Sequence, residues 1–188
     1  MSLVRALAVV LALSAVGCGD DELPEILVVR DFTLTSHRDE PFSSAELDGE
    51  VWVASFVFTS CPDVCPLITN QVANLHRRVT DERVRFVSVS VDPEVDTPAR
   101  LADYAQRYGA DDRWVFLTGE PSAVREVVTQ TFRVPMGAPR GDEGGYDIAH
   151  AEQLFLVDAD GVLRGRYDTD REGMDRLARD IERLLGGR

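Results

Sequence analysis

Residues Val51 to Cys65 read VWVASFVFTSCPDVC, and no other stretch of the 188-residue chain constrains its fold as strongly. The apolar and aromatic run from Val51 to Phe58 has the character of a buried strand. Thr59 and Ser60 end it, and two cysteines four apart then open what the pattern predicts to be a helix. Thiols at i and i+4 share one helical face, about 6 Å apart, so both sulfurs reach one point. Two chemistries are open at that point, a soft metal ion or a disulfide. Positive partial charge at a helix N-terminus favours thiolate over thiol, which predicts that Cys61 in particular is more acidic than a free cysteine.

The flanking pattern supplies the frame. Beyond Cys65 a helix carries Ile68, Val72 and Leu75 on one face, and Val84 to Val91 (VRFVSVSV) is a second β-rich run. Strand, helix and strand make a βαβ unit, expected to be right-handed with parallel strands. Thr97 as N-cap and Pro98 at the first helical position start another helix that runs to about Tyr108, before Gly109. Trp114 to Leu117 reads as a short strand and Pro121 to Phe132 as a helix. Arg133 to Tyr146, rich in Gly and Pro, reads as a surface loop long enough to suggest function. Ala151 to Val157 and Val162 to Tyr167 flank DADG, a hairpin signal, and a final amphipathic helix uses Met174, Leu177, Ile181 and Leu184. Ahead of the central strand, Leu27 to Leu34 and Pro41 to Leu47 read as short strand or loop pieces. Alternating strands and helices with a closing hairpin describe an α/β sandwich of thioredoxin type with a central mixed sheet, spanning residues 27–188.

The N-terminus, MSLVRALAVVLALSAVGCGDDELP, has one arginine, an apolar core from Ala6 to Leu13 and a small-residue exit. Those are the parts of a secretory signal over residues 1–17, and the apolar stretch is short for a membrane span. Ala15, Val16, Gly17 and Cys18 resemble a bacterial lipobox, in which the cysteine becomes the lipidated first residue, with Ala15 replacing the usual leucine. The chain is thus expected to be an exported membrane lipoprotein facing the periplasm or exterior, with residues 18–26 as a polar tether. Assigning Cys18 to lipid leaves one pair from three cysteines. A bridge across so small a loop restricts the unfolded chain little, so function is the better reason to keep the pair. The formal net charge of −13 argues against nucleic acid, which needs clustered positive charge.

Two thiolates suit Cu(I), and a third donor would complete a site. The chain has three histidines. His76 lies about 16 Å along the helix from Cys65, too far to share its metal, and reads as an exposed helix residue. His37 sits in a polar turn beside Arg38 and Asp39. His150 follows the Gly-rich loop and precedes a strand, a common place for a ligand; its position alone leaves ligand and plain loop residue equally open. Met136 offers a thioether in the loop and Asp147 a carboxylate near His150, but both read first as ordinary loop residues. Asp92, Glu94 and Asp96 read as capping residues before a helix, and Asp158 and Asp160 as turn residues, since the remaining positions of a calcium loop are absent.

FTSCPDVCP from Phe58, VSVSVDPEVDTPARLADYA from Val87 and YDIAHAEQLFLVDADG from Tyr146 together resemble the Sco (SCO/SenC) family of copper chaperones, in order and in spacing. The resemblance covers nearly the whole exported domain. It implies a thioredoxin-like fold, copper as Cu(I) or Cu(II), and Cys61, Cys65 and His150 as its ligands. It also implies a partner, the copper-bearing subunit of cytochrome c oxidase or another copper protein, which receives copper or has its thiols reduced. A thiol–disulfide oxidoreductase, with Cys61 as nucleophile and Cys65 as resolving thiol, is the competing reading.

Overall fold

A computed structural model describes residues 22–61, 64–139, 146–148 and 152–186. Cys18, His150 and the leader over residues 1–17 therefore lie outside the described residues.

Strand β4 (Val51–Val57) is buried at every position, as its composition predicts. It pairs in parallel with β5 (Val84–Ser90), Val51 opposite Val84 and Val57 opposite Ser90. On its other side it pairs antiparallel with β9 (Gln153–Val157), Ala54 opposite Phe155. Parallel β6 (Trp114–Thr118) extends the sheet beyond β5, followed by β2 (Thr33–Ser36) and β3 (Pro41–Ser43). Beyond β9 come β10 (Val162–Asp168) and β1 (Leu27–Val28). The order is β1-β10-β9-β4-β5-β6-β2-β3, the expected mixed sheet.

Alternation along β4 divides the core between two faces. Val51, Val53 and Val57 face the helices α1 (Val64–Arg78), α2 (Pro98–Tyr108) and α4 (Arg171–Gly186). Trp52, Ala54 and Phe56 face the opposite layer, where Phe132 sits edge-on to Trp52, Phe56 and Phe155 at centroid distances of 5.9, 5.3 and 5.4 Å. The helix expected from Pro121 to Phe132 is α3 (Pro121–Glu126) followed by a π turn at Val127–Thr131, closed by Phe132 N–H donating to the Val127 carbonyl at 3.1 Å. The wider turn rotates the chain so that both Val128 and Phe132 reach the sheet.

Two expectations change. Part of the Arg133 to Tyr146 loop is a ribbon, β7 (Met136–Pro139) antiparallel to β8 (Tyr146–Ile148). His76 is buried rather than exposed. It continues the i, i+4 stripe of Ile68 and Val72 into the core, packs edge-on to Phe86 at 5.2 Å and makes a 2.8 Å Nε2 to Asp111 Oδ1 hydrogen bond. Three polar side chains inside this layer pair with one another: Ser55 and Ser88 hydroxyls lie 2.8 Å apart, and Trp114 Nε1 donates to Ser88 Oγ at 3.0 Å. Replacing His76 by alanine removes a buried ring together with its hydrogen bond. We expect urea denaturation of His76→Ala to show a loss of about 2–4 kcal/mol; a loss under 0.5 kcal/mol would contradict its place in the core.

Candidate metal and redox centre

The end of β4 delivers the chain to a turn over Phe58 to Ser60, closed by Cys61 N–H donating to the Phe58 carbonyl at 3.3 Å. Helix α1 is described from Val64, and Cys61 itself is not helical. What joins the two cysteines is a cap: Cys65 N–H donates to Cys61 Sγ at 3.3 Å. The sulfur thus takes one of the free amides that every helix N-terminus exposes. Both cysteines are buried, Cys61 at 9% exposure and Cys65 at 0%.

Burial pushes the Cys65 thiol up to about 12, with smaller contributions in the same direction from Cys61 and the Asp96 carboxylate and an opposing hydrogen bond at the Phe58 backbone. The helix beneath Cys65 is pinned as well. Its carbonyl accepts the Thr69 hydroxyl at 2.7 Å, and Thr69 Oγ1 lies 3.0 Å from the Tyr104 hydroxyl on α2.

Asp96 is the residue that sequence reasoning misplaced. The cap of α2 is Thr97, as expected, whereas Asp96 is fully buried and accepts from three donors. These are Thr59 N–H at 3.0 Å, the Thr59 hydroxyl, and the Ser90 hydroxyl at 2.6 Å. Asp92 is buried too, with no hydrogen-bond partner for Oδ2 among the described residues. Burial, then the Asp96 and Glu94 carboxylates, raise its pKa, and Arg100 opposes them. The only sequence signal for these roles was a serine alternation, VSVSVD, running into the acidic trio.

The remaining candidates fall elsewhere. His37 Nδ1 accepts Phe116 N–H at 3.1 Å at the β2 edge of the sheet, with its pKa lowered by burial and by Arg38. Met136 packs against the Phe132 side of the core. Asp158 is a turn residue, accepting Asp160 N–H at 3.0 Å and Val162 N–H at 2.8 Å, and it also pairs with Arg164 at 2.5 Å. Among the described residues no three His, Cys, Asp or Glu side chains converge on one point. Cys61 and Cys65 are brought together; His150 lies outside the described residues.

Solved structures resemble this arrangement closely. A SCO1/SenC family lipoprotein from Bacillus anthracis is 30% identical, with 84% of this chain and 95% of that chain covered and a TM-score of 0.76. Bradyrhizobium japonicum ScoI with copper bound is 28% identical over 84% of this chain and 99% of that chain, TM-score 0.70. BsSco, a member of the Sco family of cytochrome c oxidase assembly proteins in which a disulfide switch has been identified, is 30% identical over 87% of this chain and 95% of that chain, TM-score 0.72. The sequence profile of SCO1/SenC matches residues 20–186, from ahead of β1 to the last turn of α4. A match of that extent, over a fold of that likeness, shows that this chain belongs to the SCO1/SenC family.

Proposed function

We propose that this protein is a membrane-tethered copper-binding chaperone. In this reading Cys61, Cys65 and His150 hold the ion, and the protein delivers copper to the binuclear centre of cytochrome c oxidase or prepares that centre's thiols. The observation that carries the reading is the pair of cysteines linked at the β4–α1 turn by the Cys65 N–H to Cys61 Sγ hydrogen bond. Two soft sulfur donors fit Cu(I), and an imidazole completes a set that also suits Cu(II). His150 precedes the start of β9 by three residues, a reach of about 10 Å. Because β9 runs antiparallel to β4, with Ala54 opposite Phe155, the beginning of β9 lies toward the end of the sheet where β4 ends. Copper bound to ScoI of Bradyrhizobium japonicum, and the place of BsSco among oxidase assembly proteins, support the same reading.

Cys18 supplies the tether in this reading, and a solved relative is itself a lipoprotein. Among the described residues no helix is long and apolar enough to cross a membrane. We expect Cys18→Ser to move the protein from the membrane to the soluble fraction on cell fractionation; unchanged membrane association overturns the lipid anchor.

The ligand set is tested by His150→Ala. Loss of a direct ligand should weaken copper at least as much as loss of an outer partner, about 100-fold, and abolish the thiolate-to-copper absorption band, while disulfide reduction persists. Copper affinity retained in His150→Ala with reductase activity lost would instead establish the thiol–disulfide enzyme.

That second reading has its own support in the inequality of the sulfurs. With Cys65 buried and its thiol pushed up to about 12, the attacking and first-attacked sulfur is Cys61. Substoichiometric iodoacetamide at neutral pH is expected to label Cys61 in the native protein and Cys65 only after denaturation, as mapped by peptide mass spectrometry. Equal labelling of both in the native state contradicts it.

A further inference from the structure

We propose that Asp96 is a positioning residue for Cys61: its buried carboxylate, acting through Thr59 and backed by Arg100, fixes the turn that sets the Cys61 sulfur against the N-terminus of α1. Three elements converge on this one side chain. From the end of β4, Thr59 gives both its N–H, to Oδ2 at 3.0 Å, and its hydroxyl, to Oδ1. From the end of β5, the Ser90 hydroxyl donates to Oδ2 at 2.6 Å. The carboxylate is itself anchored, since Asp96 N–H donates to the Asp92 carbonyl at 2.9 Å and Thr97 caps α2. Arg100, one turn into α2, donates from Nε to Thr59 Oγ1 at 2.6 Å and stands 3.8 Å from Asp96 Oδ1.

The donor count explains why this position is an aspartate. The Thr59 amide and the Thr59 and Ser90 hydroxyls converge on the carboxylate, which as an acceptor-only group takes all three as donors. An amide of the same shape keeps one acceptor oxygen and turns an NH2 to the other side, so that either the Thr59 N–H loses its acceptor or a hydroxyl must reverse from donor to acceptor. Thr59 lies two residues ahead of Cys61. With its amide and hydroxyl both held, the Cys61 N–H meets the Phe58 carbonyl and Cys61 Sγ meets the Cys65 N–H. Released from Asp96, the turn keeps only the Arg100 Nε to Thr59 Oγ1 hydrogen bond as a side-chain tie to α2 and none to β5 among the described hydrogen bonds, and the sulfur is held less firmly.

The metal arm of this proposal rests on the copper reading above, whereas its thiol arm does not. The test uses the full-length protein and four variants: Asp96→Asn, Thr59→Val, Thr59→Ser and, as a control, Asp158→Asn, which disturbs a buried carboxylate in the β9–β10 turn. Three quantities are measured beside the thermal midpoint: the rate of Cys61 alkylation, the Cys61–Cys65 disulfide potential against glutathione, and the Cu(I) dissociation constant by chelator competition. Asp96→Asn and Thr59→Val should raise the alkylation rate and weaken Cu(I), each by about tenfold, as expected for losing one or two charge-assisted hydrogen bonds, and should shift the potential. Thr59→Ser keeps the hydroxyl and should stay within about twofold of the parent, a difference below ~0.5 kcal/mol. Asp158→Asn should lower the midpoint and leave the three site quantities at parental values.

Parental alkylation and potential in both Asp96→Asn and Thr59→Val overturn the proposal, as does an equal change in Asp158→Asn. If Asp96→Asn does not fold, the contrast between Thr59→Val and Thr59→Ser decides alone. If the unaltered protein takes up no Cu(I), the copper reading fails while alkylation and potential still decide the role of Asp96.

Discussion

The pairing of β4 with a strand on each side is the constraint on which the rest of the structure depends. Every residue from Val51 to Val57 is buried, with odd positions serving the α1, α2 and α4 layer and even positions serving the layer that holds Phe132. A strand committed on both faces cannot slip its register by one residue without exchanging two packed surfaces. That commitment carries through to the functional end, because the chain leaves β4 only three residues before Cys61. The cysteine turn is thus led directly by a buried central strand, in contrast to the ribbon of β7 and β8, which forms its own two-stranded sheet.

On the odd face of the sheet several buried polar groups answer one another toward the site. Ser55 and Ser88 satisfy each other and the Trp114 indole, Ser90 satisfies Asp96, and Thr69 bridges the Cys65 carbonyl to Tyr104. Each buried hydroxyl would leave an unpaired group if its partner were apolar, at a cost of about 1–3 kcal/mol. A polar network of this kind contributes less to bulk stability than to uniqueness, since only one arrangement of the strands and helices satisfies it. Asp92, whose Oδ2 has no hydrogen-bond partner among the described residues, lies in the same strand-end segment as Ser90.

Local pattern carried most of the architecture. The buried run of β4, the Thr97–Pro98 helix start, the DADG hairpin and the stripe of α4 all act through neighbours in sequence, and each forms where its pattern placed it. What escaped was set by contacts distant in the chain. His76 reads as a polar residue until Phe86, Trp114 and Asp111 close around it, although its place on the Ile68 and Val72 stripe already pointed inward. Asp96 reads as a cap because nothing nearby in sequence says that Thr59, 37 residues earlier, supplies two donors to it. The π turn at Val127–Thr131 is likewise decided by the sheet beneath, which draws in Phe132. At the site itself the proximity of the cysteines was legible in their spacing, whereas the Cys65 N–H to Cys61 Sγ hydrogen bond was not.

That cap gives the two sulfurs different duties. Cys65 is held from below by the helix, Thr69 and Tyr104, and burial keeps its thiol protonated far above neutrality. Cys61, at 9% exposure, ends the turn, and its sulfur already engages the helix amide. Joining the sulfurs as a disulfide and offering them both to a soft ion are exclusive uses of one pair, and the loop between them is too short for the bridge to add much stability. The balance between them depends on the thiol–disulfide potential of the surroundings and on the availability of the ion.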